Sequence, residues 1–191
     1  MTSGSGIDGI DSAETAYETA GTAIRRADLN DVEAVLSLFD GAVAWMNAHG
    51  NTEQWGTARW SDLPERRDMV ERWCLASGSW VALTPEGGVA GFLVVGAAHA
   101  YVPPSSRPGP ELYIEALVAS RAEDERGYGR RLLAHADELA ARAGIRELRV
   151  DCFAGRGGDL VRFYETVGYV KDVTFQVKEW PGQVLTRTLA S

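Results

Sequence analysis

Apolar positions recur along this chain at two periods, and stretches of each kind follow one another. Val32, Val35, Leu36, Phe39, Val43 and Met46 fall on one stripe at helical spacing, with Asn30 as a cap in front and His49-Gly50-Asn51 as the stop. A short strand over 23–27 precedes them. Asp62-Leu63-Pro64-Glu65 reads as a capping box that opens a second helix through Met69, Val70 and Trp73. Between these helices, 51–60 has little regular pattern and contains Trp55 and Trp60. The runs 80–83 and 89–95 are strand-like and are separated by Pro85-Glu86-Gly87-Gly88, which predicts an antiparallel hairpin.

After a proline-rich loop over 102–110, the run 112–119 (LYIEALVA) is short and branched enough for a strand. Arg126-Gly127-Tyr128-Gly129-Arg130 then opens a helix whose stripe is Leu132, Leu133, Ala136, Leu139, Ala140 and Ala143, ended by Gly144. A strand over 148–153 leads through Gly155-Arg156-Gly157-Gly158 into a helix with Leu160, Phe163, Tyr164 and Val167 on one face. Gly168 ends that helix, and two strand-like segments, 173–180 and 184–189, close the chain. No internal repeat is present.

Composition narrows the class. With 191 residues, 45% of them apolar, the chain suits one domain or one domain with an appendage. Residues 1–22 hold Asp8, Asp11, Glu14 and Glu18, no lysine or arginine, and mainly Gly, Ser, Thr and Ala; they read as a disordered leader before a folded body over 23–191. Acids number 27 against 19 bases, a balance that disfavours nucleic acid as a partner. The longest apolar run, 89–98, stops at His99, short of the roughly 18 residues of a spanning helix, so no membrane is expected. Without a signal-like N-terminus or a disulfide framework, a reducing cytoplasm is the default, with Cys74 and Cys152 as free thiols.

A strand, a glycine-rich turn and a helix in that order make an anion site, because unpaired N–H groups point outward at the positive end of the helix dipole. A pyrophosphate suits it; a tight strand-to-helix corner without a ligand is the other reading. The spacing is not G-x-G-x-x-G, the strands before it form a hairpin, and the Gly-Lys-Ser/Thr of a Walker loop is missing.

Three segments together resemble the GNAT superfamily of acyl-CoA-dependent N-acyltransferases, over residues 23–189. Tyr113-Ile114-Glu115-Ala116-Leu117-Val118-Ala119 is similar to its splayed fourth strand. Asp124-Glu125-Arg126-Gly127-Tyr128-Gly129 is similar to its Q/R-x-x-G-x-G/A pyrophosphate loop, and Phe163-Tyr164-Glu165-Thr166-Val167-Gly168-Tyr169 to its F-Y-x-x-x-G-F/Y. The resemblance implies an α/β (α+β) fold: a mixed, mostly antiparallel twisted sheet of about six to seven strands, splayed as a V between the fourth and fifth, flanked by about four helices. It implies an N-acetyltransferase that moves the acetyl group of acetyl-CoA directly to a primary amine of a small molecule in a ternary complex. Relatives that pair through sheet edges or terminal strands make a homodimer through 173–189 plausible by analogy. A longer acyl-CoA or a carrier-protein thioester as donor, or a non-catalytic acyl-CoA-binding or scaffold module, are the alternatives.

By the same resemblance, backbone groups of Leu117, Val118 and Ala119 would pair with the pantetheine arm. Glu125, Arg126, Gly127, Tyr128, Gly129 and Arg130 would surround the pyrophosphate, with Gly157 and Tyr164 on the far side. The pattern departs from the family at Asp124, where Gln or Arg is usual, and at Gly157, where Asn is usual. An acid at Asp124 would repel phosphate, so its side chain is expected to point away while Arg126, Arg130 or Arg131 supplies positive charge.

Tyr164 would be the general acid toward the departing sulfur; the other reading is a core tyrosine. Glu115, a carboxylate within an apolar strand, either faces the cleft as a base or pairs with an arginine. Asp151 and Glu53 rank below it as bases, and His99 and His135 lower still. No group of residues shows metal-ligand spacing, and neither cysteine has a local histidine partner, so direct transfer without metal is expected. Trp45, Trp55 and Trp60 either wall the acceptor or plug the core under a loop. Glu53, Glu111 and Glu115 near such a mouth would favour a cationic amine.

Overall fold

The computed structural model describes residues 17–19, 22–107, 109–122 and 126–190. Its strands sort the apolar residues of the chain onto two opposite faces by the two-residue period of the pleat. On β3 (Ser79–Leu83), Trp80 and Ala82 face one way and Val81 the other; on β4 (Val89–Gly96), Phe92 and Val94 join Val81. Helix α1 (Val32–Ala48) lays Val35, Leu36, Phe39 and Val43 against this second face, and α2 (Pro64–Leu75) adds Val70 and Cys74. The first face is covered by α3 (Tyr128–Arg142), through Leu132, Leu133, Ala136 and Leu139, and by α4 (Asp159–Thr166).

Among the described residues the sheet has eight strands in the order β1-β2-β3-β4-β5-β6-β8-β7. The others are β1 (Tyr17–Thr19), β2 (Thr22–Arg26), β5 (Glu111–Ala119), β6 (Glu147–Phe153), β7 (Val170–Val177) and β8 (Trp180–Thr188). Every described pairing is antiparallel except β5 with β6, which α3 joins as a crossover helix. The mixed, splayed sheet and its four helices match the expected architecture. The strand beyond the expected seven is β1, so strand pairing reaches into the stretch read as leader. Residues 1–16, 20 and 21 of that leader lie outside the described residues.

Three local expectations are corrected. Asn30 does not cap the first helix: α1 begins at Val32 without a side-chain cap, and in front of it a 3-10 turn over Leu29–Asp31 is capped by Asp28, whose side chain accepts from the N–H of Asn30 at 2.7 Å while the N–H of Asp28 donates to Asp31 at 2.9 Å. The second helix has no capping box, since Leu63 occupies the cap without a side-chain bond and Pro64 begins the helix. The final hairpin is displaced, with β7 ending at Val177 and Trp180 opening β8.

The seam between β5 and β6 positions everything that follows. Parallel pairing covers only Glu111–Ile114 against Glu147–Val150, and from Glu115 and Asp151 onward the two strands part. On the other edge of β5, Val95 pairs with Ile114 and Val94 with Ala116, which leaves Glu115 as the extra residue of a β-bulge. The bulge reverses the alternation: Ile114 and Leu117 face the α3/α4 side, whereas Glu115 meets Trp73 of α2 and Ala116 packs on the α1/α2 side.

His135 lies wholly buried on α3, edge-on to Trp80 at 4.4 Å between ring centroids. Burial, aided by Arg142, pushes its pKa down to about 4, so the folded chain keeps it neutral while the unfolded chain protonates it below about 6.5. The unfolded state therefore binds more protons between those values, and stability falls by about 1.4 kcal/mol per pH unit on acidification across that window. In urea unfolding at pH 7 and pH 5, His135→Leu should remove about 2 kcal/mol of the wild-type difference between the two conditions. An unchanged difference would mean that His135 titrates alike in both states.

Candidate active site

At the apex of the V, the bulge turns the Glu115 carboxylate toward α2, where the indole N–H of Trp73 donates to Oε1 at 2.8 Å. His99, in the loop after β4, brings Nε2 to 3.4 Å from the same oxygen. Among the described residues no arginine pairs with Glu115 and no hydrogen bond reaches Oε2, which favours the cleft-facing reading over the arginine pair. Across the seam, Asp151 accepts the O–H of Tyr113. Burial raises the pKa of Asp151 against the opposing pull of Tyr113 and His99. The ring of His99 stacks on Tyr101 at 5.3 Å and 14° and meets Tyr113 edge-on at 6.4 Å.

Just below the apex, Arg149 is 1% exposed; its guanidinium donates to both oxygens of Glu111 at 2.8 and 2.9 Å and to the carbonyl of Pro103 at 2.6 Å. Glu111, expected near the acceptor mouth, is thus engaged in holding the parallel seam together.

The opposite arm of the V offers backbone. Ser120 N–H donates to the carbonyl of Ala90 at 2.8 Å, which by strand alternation turns the N–H and C=O of Val118 toward β4 and those of Leu117 and Ala119 away from it. Among the described residues no strand pairs with Leu117 or Ala119 on that side. Of the three residues expected to offer backbone, two face the opening and Val118 faces the ladder.

This edge runs into the start of α3. The first helical bond joins Arg131 N–H to Gly127 O at 3.1 Å, so the N–H groups of Tyr128, Gly129 and Arg130 have no acceptor within the helix, and no side chain caps them. Gly127 has φ +96°, and a Cβ there would meet nothing within 4 Å. Tyr128 is buried, so it can contribute its N–H only. A Cβ on Gly129 would lie 3.8 Å from both Ala119 and Phe163, which shows how closely α3, β5 and α4 converge. Arg130 is exposed and donates to Thr166 at 3.0 Å, tying α3 to α4; Arg126 is exposed at the turn. Asp124 and Glu125 lie outside the described residues.

Gly157, before α4, has φ +70°, and Gly158, its cap, has φ +80°. Asn and Gly are the residues that tolerate this left-handed region, so the departure from Asn keeps the backbone requirement. Tyr164 is buried in the α3/α4 core between Phe163 and Tyr169, whose rings stand edge-on to it at 5.3 and 5.5 Å. Its pKa is raised well above 10 by burial, with Cys152, Tyr169 and Asp151 adding to the effect.

The acceptor wall needs correction. Trp60 is 3% exposed and stacks flat on Phe39 at 4.0 Å, so it is a core side chain. Trp55 is half-buried against the same pair. Trp45 is exposed on α1 beneath the guanidinium of Arg121, with His49 stacked on it, and none of the residues around Glu115 touches it. Glu53 is exposed in the loop between α1 and α2. That loop reaches across the molecule: Trp180 donates to the carbonyl of Gln54 at 3.2 Å and Arg156 to that of Gly50. Trp73 and His99 are the site residues that sequence reasoning missed or ranked low. The available signals were an indole on a helical stripe and a polar stop to the run 89–98. Burial pushes the thiols of Cys74 and Cys152 up to about 11 and about 12, which keeps both protonated and poorly nucleophilic.

A splayed mixed sheet whose bulged strand leads into a glycine turn at the start of α3 is the architecture that the resemblance implied. Residues 44–169 match the model of the acetyltransferase (GNAT) family, and the chain belongs to that family. Comparison with curated proteins gives no match. Among solved structures, the PaiA N-acetyltransferase of Thermoplasma acidophilum, in complex with coenzyme A, is similar with TM-score 0.65 and 14% identity, over 88% of this chain and 99% of that one. A GNAT-family acetyltransferase of Listeria monocytogenes has TM-score 0.62 and 15% identity, over 92% and 100%. YncA of Salmonella typhimurium, solved with its cofactor acetyl-CoA, has TM-score 0.59 and 18% identity, over 89% and 95%. At these identities the solved structures speak for the fold.

Removing one partner of a buried ion pair strands the other, at a cost of about 3 kcal/mol. Glu111→Gln should therefore lower unfolding free energy by about that much, whereas the double variant Glu111→Leu/Arg149→Met should lose less than the single one. Equal losses in chemical denaturation would show that the pair is not what holds the seam.

Proposed function

We propose that this protein transfers the acetyl group of acetyl-CoA directly to the primary amine of a small-molecule acceptor. The observation that carries the reading is the free backbone edge of Leu117 and Ala119, which leads from the Glu115 bulge to the unsatisfied N–H groups at the start of α3. Those features fit acetyl-CoA: strand backbone for the pantetheine arm, and N–H groups of Tyr128, Gly129 and Arg130 with open space at Gly127 for the pyrophosphate. Bound acetyl-CoA would supply the acetyl thioester. A backbone N–H of β5 polarises its carbonyl, which requires no particular side chain.

Glu115 takes the proton of the incoming ammonium, so that a neutral amine attacks. Tyr164 faces a thermodynamic limit. A phenol held above 10 by burial does not give its proton outright to a thiolate whose acid has a pKa of about 8.5. Tyr164 therefore stabilises the departing sulfur by donating a hydrogen bond rather than by completing a proton transfer. Two buried, protonated thiols support direct transfer over an acyl-enzyme, and they also suit a reducing cytoplasm. Glu115 and Asp151 at the apex favour a cationic acceptor, with Trp73 in place of Trp60 as its nearest indole.

In calorimetric titration, acetyl-CoA should bind the wild type and Gly127→Ala. Gly127→Glu, which adds a carboxylate to the same backbone strain, should bind at least about tenfold more weakly. No binding to the wild type would overturn the reading. Binding without thiol release across a broad amine panel would favour an acyl-CoA-binding module, and turnover confined to other thioesters would change the donor.

We also propose a homodimer formed along β7, the edge of the sheet, where Val170 and Val177 are 53% and 38% exposed. Sedimentation equilibrium should give twice the 20.7 kDa chain mass. A monomer at working concentration would refute the pairing.

A further inference from the structure

A base that is reloaded at every turnover must also be unloaded, and the surroundings of Glu115 restrict how. Its side chain is 23% exposed at the base of the V, whereas that of His99 is 39% exposed. The groups around Glu115 can be tested one by one as proton acceptors. The Trp73 indole is a donor only. Asp151 accepts the hydroxyl of Tyr113, and among the described residues no hydrogen bond or ion pair joins it to Glu115; Arg149 offers donors only, to Glu111 and Pro103. Tyr101 and Tyr113 hold their protons, the first with its pKa raised by burial to about 12. His99 is different: its Nε2 lies 3.4 Å from Glu115 Oε1, and an imidazole can accept a proton at one ring nitrogen while it releases one from the other.

We propose that His99 is the proton exit of the site, taking from Glu115 the proton that Glu115 collects from the amine and releasing it to solvent. The inference rests on the reading of Glu115 as the base. His99 is a positioning and relay residue that acts through Glu115 and does not touch the acceptor.

The bookkeeping of the step is simple. An ammonium N–H bond breaks and a carboxyl O–H bond forms on Glu115. Rotation of the carboxyl group brings that proton to Nε2, where an N–H bond forms as the O–H breaks. Nδ1–H then loses its proton to water, which leaves the neutral Nε2–H tautomer; exchange of that proton through solvent returns the ring to Nδ1–H before the next turnover. Geometry supports a fixed ring: Tyr101 stacks on one face at 14°, Tyr113 meets it edge-on, and Val102 N–H closes a turn on the carbonyl of His99 at 3.0 Å. Glu115, Asp151, Tyr101 and Tyr113 are the titratable groups that face it, and Trp73 closes the α2 side of Glu115.

The experiment compares His99→Ala, His99→Gln and Glu115→Gln with the wild type in steady-state thiol release, using a fixed amine and saturating acetyl-CoA. His99→Ala should lower kcat at least about tenfold, while acetyl-CoA affinity and amine KM stay within about twofold. Its rate should rise with buffer concentration, and added imidazole should restore most of the loss. His99→Gln, which fills the space and keeps a polar contact, should be equally slow and not rescued. The wild-type kcat–pH profile should lose its imidazole limb in both variants.

A wild-type rate in His99→Ala would overturn the relay, as would a loss that neither buffer nor imidazole relieves. Glu115→Gln separates the two levels: a wild-type rate there removes the base itself, whereas a slow Glu115→Gln beside a fully active His99→Ala removes the relay alone.

Discussion

The site depends on a sheet that is continuous on either side of one seam and open along it. Each half is complete: β5 is held along its length by β4, and β6 is held by β8 from Glu147 to Phe153. Only the contact between β5 and β6 stops early, after Ile114 and Val150. The extra residue at Glu115 changes the twist of β5 alone, while β6 continues straight, so the two backbones diverge from the point where the bulge sits. Arg149 and Glu111 lie on the closed side of that point and oppose further unzipping. Bulge and ion pair together set where the opening begins. The same bulge turns a carboxylate toward it, so the aperture and its reactive group share one cause.

Elements with a clean period were legible in the sequence, and those that depend on backbone detail were not. The stripes of α1 and α3 and the hairpin of β3 and β4 followed from side-chain spacing. The start of α1 did not, because a 3-10 turn capped by Asp28 intervenes and α1 itself begins at Val32 with no side-chain cap. The last hairpin hid its turn. Lys178 carries the left-handed φ of +53°, a position where Gly or Asn is the usual signal. The visible glycine, Gly182, sits within β8 because the ring of Phe175 lies against it and leaves no room for a side chain.

Within the site, Glu115 was legible because a carboxylate in an apolar strand demands an explanation. Its companions were not. Trp73 is 42 residues away in sequence and reaches Glu115 only through the packing of α2 on the sheet. His99 looked like the end of an apolar run, and Asp151 ranked below Glu115 until the pairing of β5 with β6 set those two carboxylates where the strands part. Tryptophan misled in the opposite sense. An indole serves a core or a mouth equally well, and Trp60 went to the core, where Phe39 offered a flat partner.

The two arms of the V differ in what they ask of the sequence. Along one arm the groups turned to the opening are main-chain N–H and C=O, from Leu117 and Ala119 to the first turn of α3, and they constrain side chains only through the backbone path. Positive φ restricts the residue type at Gly127, Gly157 and Gly158. Around Glu115 the groups are side chains on four separate elements, α2, the loop after β4, β5 and β6. The fold of this scaffold recurs in solved structures at 14–18% identity. A substitution at Trp73, His99, Glu115 or Asp151 alters a side-chain contact at the apex, whereas one at Leu117 or Ala119 leaves the main-chain edge in place.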